Sequence, residues 1–280
     1  MAKFIIRAGK IGITCLLLLV MLIIGYFSAK VFVLAEDSTL SVDALSEAIT
    51  ISGYSVDPNV SSTDSLDIAD YCFRTGNDYQ ARVLYEQIVG SNTSEDVSLK
   101  AHKGIVLLDE KITDPNYVRY TVADIKSEYS NNENMPDVIC EIAEYYRAQA
   151  LKIKNKTETQ LADTLIAQAI PLLEESIANI DDAQKPDTYL RLAESYSRLG
   201  DYQQSLEYYE ELVDKYPDYE KVWHVYFLMG RCYEKLASSG DITYAQAIEQ
   251  ISPIYTYLIQ EYPDCKAAKA ANNWLAFNVQ

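Results

Sequence analysis

Tyr209-Glu210-Glu211-Leu212-Val213-Asp214-Lys215-Tyr216-Pro217-Asp218 is the stretch that decides the fold, because it returns as Tyr255-Thr256-Tyr257-Leu258-Ile259-Gln260-Glu261-Tyr262-Pro263-Asp264. In both copies an aromatic, a leucine and a branched aliphatic stand at i, i+3 and i+4, the spacing of one face of an α-helix. Tyr-Pro-Asp closes each copy, and proline ends a helix because it lacks an N–H and its ring clashes with the preceding turn. A helix with one such face must bury it against something. Recurrence of the whole segment indicates units that each bury a face against a neighbour.

Upstream of the first copy, Leu192, Ala193 and Tyr196 lead into Gly200-Asp201-Tyr202, after which Leu206 and Tyr209 resume the helical period. The same order occurs earlier. Ile68, Ala69, Cys72 and Phe73 precede Gly76-Asn77-Asp78, and Ala81, Leu84, Tyr85 and Ile88 follow it. Gly ends one helix and Asn or Asp starts the next, the expected punctuation.

These residues make the chain resemble the tetratricopeptide-repeat (TPR) family, built from helix–turn–helix units of about 34 residues. Residues 186–219 look like one complete unit, with Ala193, Tyr196, Gly200, Ser205, Tyr209 and Pro217 at the family's marked places. Residues 62–95 look like another, with Ala69, Cys72, Gly76, Ala81 and Tyr85 there, and with Thr93 where the closing proline would stand. A unit over 223–264 keeps Gly230 and Tyr233, carries an insertion around Ser238-Ser239-Gly240-Asp241, and has Pro253 within its second helix, which the proline should kink. The middle is less regular. Val97–Leu108 pairs with Tyr117–Tyr129 in a unit over 96–131, and Val138–Lys154 pairs with Thr159–Ile180, interrupted at Pro171, in one over 135–181. A helix over 266–277 caps the series. The resemblance implies an all-α, TPR-like superhelical solenoid over 62–280 behind a single N-terminal transmembrane helix.

That anchor is read from residues 11–29, which carry no charge and are preceded by Lys3, Arg7 and Lys10. A helix needs about 20 apolar residues to cross hydrocarbon, whereas a signal-peptide core has about 7–15. The basic flank keeps residues 1–10 in the cytoplasm and sends everything after Lys30 outside. Val33-Leu34-Ala35 before Glu36 leaves signal cleavage, and hence a secreted product, as the alternative. Cys15 follows Thr14, too large a residue for a lipoprotein signal. Residues 30–61, rich in Ser, Thr and Asp and broken by Gly53 and Asp57-Pro58-Asn59, read as a stalk with at most one short helix near 41–51.

The 280 residues contain 24 Lys and Arg against 41 Asp and Glu, a formal charge of −17, and 49% are hydrophobic. The first 35 positions hold four of the basic residues and no acid, so the acidity belongs to the body. Phosphate neutralisation needs clustered Lys and Arg, so nucleic acid is excluded as a partner. Only 10 Gly and 8 Pro argue against a turn-rich β-fold, while 23 Tyr suit half-buried helix seams. Cys72, Cys140, Cys232 and Cys265 are scattered; they could form two bridges, though their helical neighbours favour small buried side chains. Asn59, Asn92 and Asn155 begin Asn-x-Ser/Thr triplets. His102 and His224 are isolated, and read as ordinary surface or seam residues.

No phosphate-binding glycine loop, metalloprotease His pair, nucleophile elbow or calcium loop is present. An enzyme, a cofactor, a metal site and a small-molecule substrate are therefore not expected. What the TPR resemblance implies instead is a groove lined by the first helix of each unit. It places there Leu66, Asp67, Asp70, Phe73 and Arg74, then Leu190, Arg191, Glu194, Ser197 and Arg198, then Phe227, Leu228, Arg231 and Lys235. The expected function is a membrane-anchored extracytoplasmic scaffold that binds a protein segment, with an accessory role in an envelope-assembly or secretion complex as the alternative. If the anchor is retained, the membrane-extracted protein still contains residues 1–35 by mass spectrometry; a mature product beginning at Glu36 contradicts it.

Overall fold

The computed structural model describes residues 62–112, 117–155 and 158–279. The segments 1–10, 11–29 and 30–61, including the anchor, the stalk and the short helix near 41–51, lie outside the described residues. Among the described residues there are eleven α-helices and no strand, and no helix is long and apolar enough to cross a membrane. The chain divides into two compact units at Asn132–Glu133. The first holds α1 (Ser62–Arg74), α2 (Asp78–Val89), α3 (Glu95–Asp109) and α4 (Val122–Glu128). The second holds α5 (Met135–Lys152), α6 (Thr159–Ser176), α7 (Lys185–Leu199), α8 (Tyr202–Lys215), α9 (Val222–Ser239), α10 (Tyr244–Glu261) and α11 (Ala268–Asn278).

The short turns follow from their residues. Gly200 and Gly240 end α7 and α9 with φ of 87° and 89°, in the left-handed region that L side chains avoid. Helix starts then use the next small polar residue. Asn77 and Asp201 each accept the backbone N–H three residues on, and Thr243 forms a capping box with Gln246.

Packing within each unit centres on a tyrosine from a second helix. Tyr85, Tyr209 and Tyr255 are each 1% exposed and stand at corresponding places on α2, α8 and α10. Tyr85 donates its hydroxyl to Asp70 of α1 at 2.6 Å while its ring lies against Gly104 of α3. Tyr255 lies against Gly230 of α9, stacks on Phe227 at 5.9 Å and meets Trp274 of α11 edge-on at 5.4 Å. A Cβ built at either glycine falls 2.3 Å from the tyrosine ring. The rings occupy space that any larger residue would take.

Two features differ from the sequence reading, and a third narrows its surface-or-seam alternative. The second helix expected over 117–129 is confined to Val122–Glu128, because Thr121 and Asp124 form a capping box that starts the helix there. Neither Pro171 nor Pro253 interrupts its helix. Both prolines are exposed, and the buried faces around them (Ile166, Ala169, Ile170 and Leu173; Ile251, Tyr255 and Leu258) offset the roughly 3 kcal/mol cost of an interior proline. His102 is 6% exposed and set in a polar cluster rather than lying on the surface. The four described cysteines are free thiols, with Cys72, Cys140 and Cys232 buried.

Gly230→Ala should destabilise residues 62–280 by about 1–3 kcal/mol through overpacking against Tyr255. Urea unfolding checks this, and an unchanged midpoint contradicts the close approach.

Candidate protein-binding face

The first helices of the second unit carry opposite charges in register. Arg147 on α5 is 7% exposed, and its Nη2 donates to Glu194 Oε2 on α7 at 3.0 Å. Its Nη1 lies 3.7 Å from Glu144 Oε1, which is also 3.1 Å from Arg191 Nε on α7. Four charges of alternating sign are thus shared between α5 and α7. Burial pushes the Glu144 carboxyl up, and the adjacent Arg191 and Arg147 pull it back only in part. One turn back on α7, Asp187 accepts from the Tyr219 hydroxyl and from Lys221 Nζ at 3.1 Å. Burial opposes its charge, but these two donors outweigh it and hold the carboxyl below its usual range.

Fixed partners matter here because isolated long side chains lose rotamer freedom when a ligand orders them. Here part of that ordering is already present. An exposed pair contributes only about 0–1 kcal/mol to stability. Arg147 is different, because its own charge is buried, and Glu144 and Glu194, 32% and 40% exposed, offset the cost of holding it out of water.

The residues expected to line the groove have different surroundings. Arg191 and Glu194 join the network just described. Arg198, on the same helix, turns back to Asp163 of α6 at 3.6 Å. On α9, Phe227 is half-buried on Tyr255, Arg231 lies 3.3 Å from Glu234 with its side chain 55% exposed, and Lys235 is exposed. Leu66 and Leu190 are buried in the cores of their units, and Leu228 packs against the core in the second. Ser197 accepts a weak bond from the Cys232 thiol at 3.9 Å.

In the first unit, Asp70 is engaged by Tyr85, and Phe73 lies under Lys111 Nζ at 4.5 Å from the ring centroid. Asp67 and Arg74 are exposed on α1. Partial burial, with Asp70 and Asp64 alongside, raises the Asp67 carboxyl.

The sequence reading missed Glu144, Arg147, Glu234 and Trp274. The signal for the first two was their i, i+3 spacing with opposite charge on one helix. Trp274 is visible as the one Trp of the last helix, and its indole N–H donates to Glu234 at 2.8 Å. No group of His, Cys, Asp or Glu among the described residues could hold a metal ion.

Residues 187–219 match the tetratricopeptide-repeat family. That match covers α7 and α8. No curated protein matches the chain. Among solved structures, the chain is similar to the MamA protein at 16% identity, covering 74% of this chain and 94% of that one with a TM-score of 0.43. It is also similar to a thermophilic TPR protein of Thermus thermophilus, at 11% identity over 78% and 99% of the two chains with a TM-score of 0.37. A third similarity is to pilF of Pseudomonas aeruginosa, at 13% identity over 76% and 96% with a TM-score of 0.29.

Arg147→Ala should destabilise the domain by about 1–3 kcal/mol, since it removes the buried side chain that joins the half-exposed Glu144 and Glu194. Arg198→Ala, in an exposed pair, should cost about 0–1 kcal/mol. Paired denaturant titrations decide this, and equal costs contradict the assignment of Arg147 as the buried centre.

Proposed function

We propose that the protein is a membrane-anchored, extracytoplasmic scaffold whose second unit binds a segment of another protein along α5, α7 and α9. The observation that carries this reading is the row of charges set in place on the first helices, Glu144, Arg147, Arg191 and Glu194, followed by Phe227, Arg231 and Lys235 on α9. The uncharged run at 11–29 behind Lys3, Arg7 and Lys10 supports the anchor and its orientation. The tetratricopeptide repeat at 187–219 supports a binding role over a catalytic one.

In such a face the charges act mainly on encounter rate and partner choice. Affinity comes from a few apolar contacts that are covered on binding. Leu66 and Leu190 are already in the core and cannot serve; Phe227 and the exposed parts of Trp223 and Trp274 can.

A photo-crosslinking amino acid at Lys235 or Arg231 in the full chain should give discrete protein adducts in native membranes. The same group at Glu207, exposed on α8, should not. Adducts from Glu207 alone would move the binding surface to the second helices.

A further inference from the structure

We propose that His102 is an acid-released clasp, whose protonation frees the 117–132 segment from α3. The segment returns across α3 after that helix ends and is fixed to it towards both of that helix's ends. Near the far end of α3, Asp109 accepts the Tyr120 backbone N–H at 2.6 Å and the Tyr117 hydroxyl at 3.2 Å. Seven residues earlier, on the same side of the helix, His102 Nδ1 is 2.6 Å from the Tyr129 hydroxyl, and its ring stacks on Tyr120 at 4.4 Å. Asn132 donates to Asp96 at 3.0 Å, and Ile125 is fully buried.

The helix inside this segment, α4, has seven residues, too short to persist in water without packing. Tyr120 packs against the apolar cluster that joins α1, α2 and α3, whereas Ile125 and Tyr129 stand apart from it. Releasing the segment therefore uncovers the edge of that cluster at Tyr120 but takes none of its buried residues away, so those three helices can stay packed.

Charging the ring acts on the clasp directly. With Nδ1 unprotonated, the neutral imidazole accepts a hydrogen bond from the Tyr129 hydroxyl; an imidazolium has no acceptor, so it must turn this contact round and donate to the phenol oxygen from a ring that burial has stripped of water. Burial pushes the Tyr129 phenol up to about 12, so it keeps its own proton. Burial likewise opposes a charged His102 and holds its pKa below the ordinary 6.5. Glu128 of α4, 4.0 Å away, pulls the other way, but its side chain is 51% exposed and it already accepts from the Tyr120 hydroxyl at 2.7 Å. Of the other charges on the elements around α3, Arg82 of α2 meets Asp109 and Asp67 of α1 faces Lys100, while Glu95 acts on Tyr129 and Asp124 on Tyr120, the two rings that touch His102.

The sign follows from the depressed value. The contribution of the clasp is complete above the pKa of the free side chain and is lost as pH falls through the folded-state value. Each unit separating the two values corresponds to a tenfold loss in the closed-to-open ratio.

The test uses the full chain in detergent micelles with carbon-13-labelled histidine. The sequence has only two histidines, so two resonances titrate. Between about pH 7.5 and 5, the His102 midpoint should fall below that of the unfolded chain. Amide protection in 122–132, corrected for intrinsic exchange, should drop by the fold-change that the midpoint requires, while α1 and α2 keep theirs. His102→Gln should flatten the pH dependence in 122–132. Glu128→Gln should lower the midpoint further, which a purely structural histidine would not report. The proposal is overturned if protection in 122–132 does not change as His102 titrates, or if α1 and α2 lose protection equally. A pH profile that survives His102→Gln overturns it as well.

Discussion

A phenol ring pressed into the gap beside a glycine is the contact on which the helix layers depend. Tyr85 and Tyr255 bring this about at Gly104 and Gly230, and Tyr209 occupies the corresponding place on α8. Burying one such side chain removes on the order of 150–250 Å² from water, a gross gain of roughly 4–6 kcal/mol. Because each ring touches its own first helix and the next one along, it joins layers as well as filling them. The glycine lies at the hydroxyl end of the ring, where Tyr85 also donates to Asp70. A core residue thereby fixes Asp70, one of the residues the repeat resemblance places in the groove.

The elements visible in the sequence are those whose determinants are local. Gly200-Asp201 supplies a left-handed stop and the next N-cap within two residues, and Tyr216-Pro217-Asp218 ends α8 for reasons contained in the proline. The charge network was only half legible. Arg191 and Glu194 stand on the helix that matches the repeat best, but Arg147 pairs with Glu194 across 47 residues of sequence. Nothing local links them, and α5 lies where the repeat pattern is least regular. Leu66 and Leu190 show a different limit. They sit at the border of the helix face, and adjacent residues on a helix are turned by about 100°, so one residue can be core while the next is exposed. The two prolines inside α6 and α10 stay helical because packing of the opposite face outweighs a local penalty.

His102 illustrates the same separation of local and distant causes. Read alone it is an ordinary histidine. Tyr120, Glu128 and Tyr129 come to it only because the chain turns back over α3, and they give the ring a stacking partner, a hydrogen bond and a charge together. The first unit therefore holds a titratable contact whose charged form burial opposes, whereas the second is held by ion pairs and aromatic packing. Cys72, the one described thiol of the first unit, has no such role, since burial pushes it up to about 11 and keeps it protonated.

The central claim is that the first helices of the second unit form the partner surface. Carboxylate footprinting tests it most directly, by comparing labelling of the protein in native membranes with that of the purified full chain. The account predicts that Asp187, Glu194 and Glu234 are protected in membranes, while Glu207 and Glu211 on α8 label equally in both. Protection confined to Glu207 and Glu211, with the first-helix acids unchanged, would contradict it.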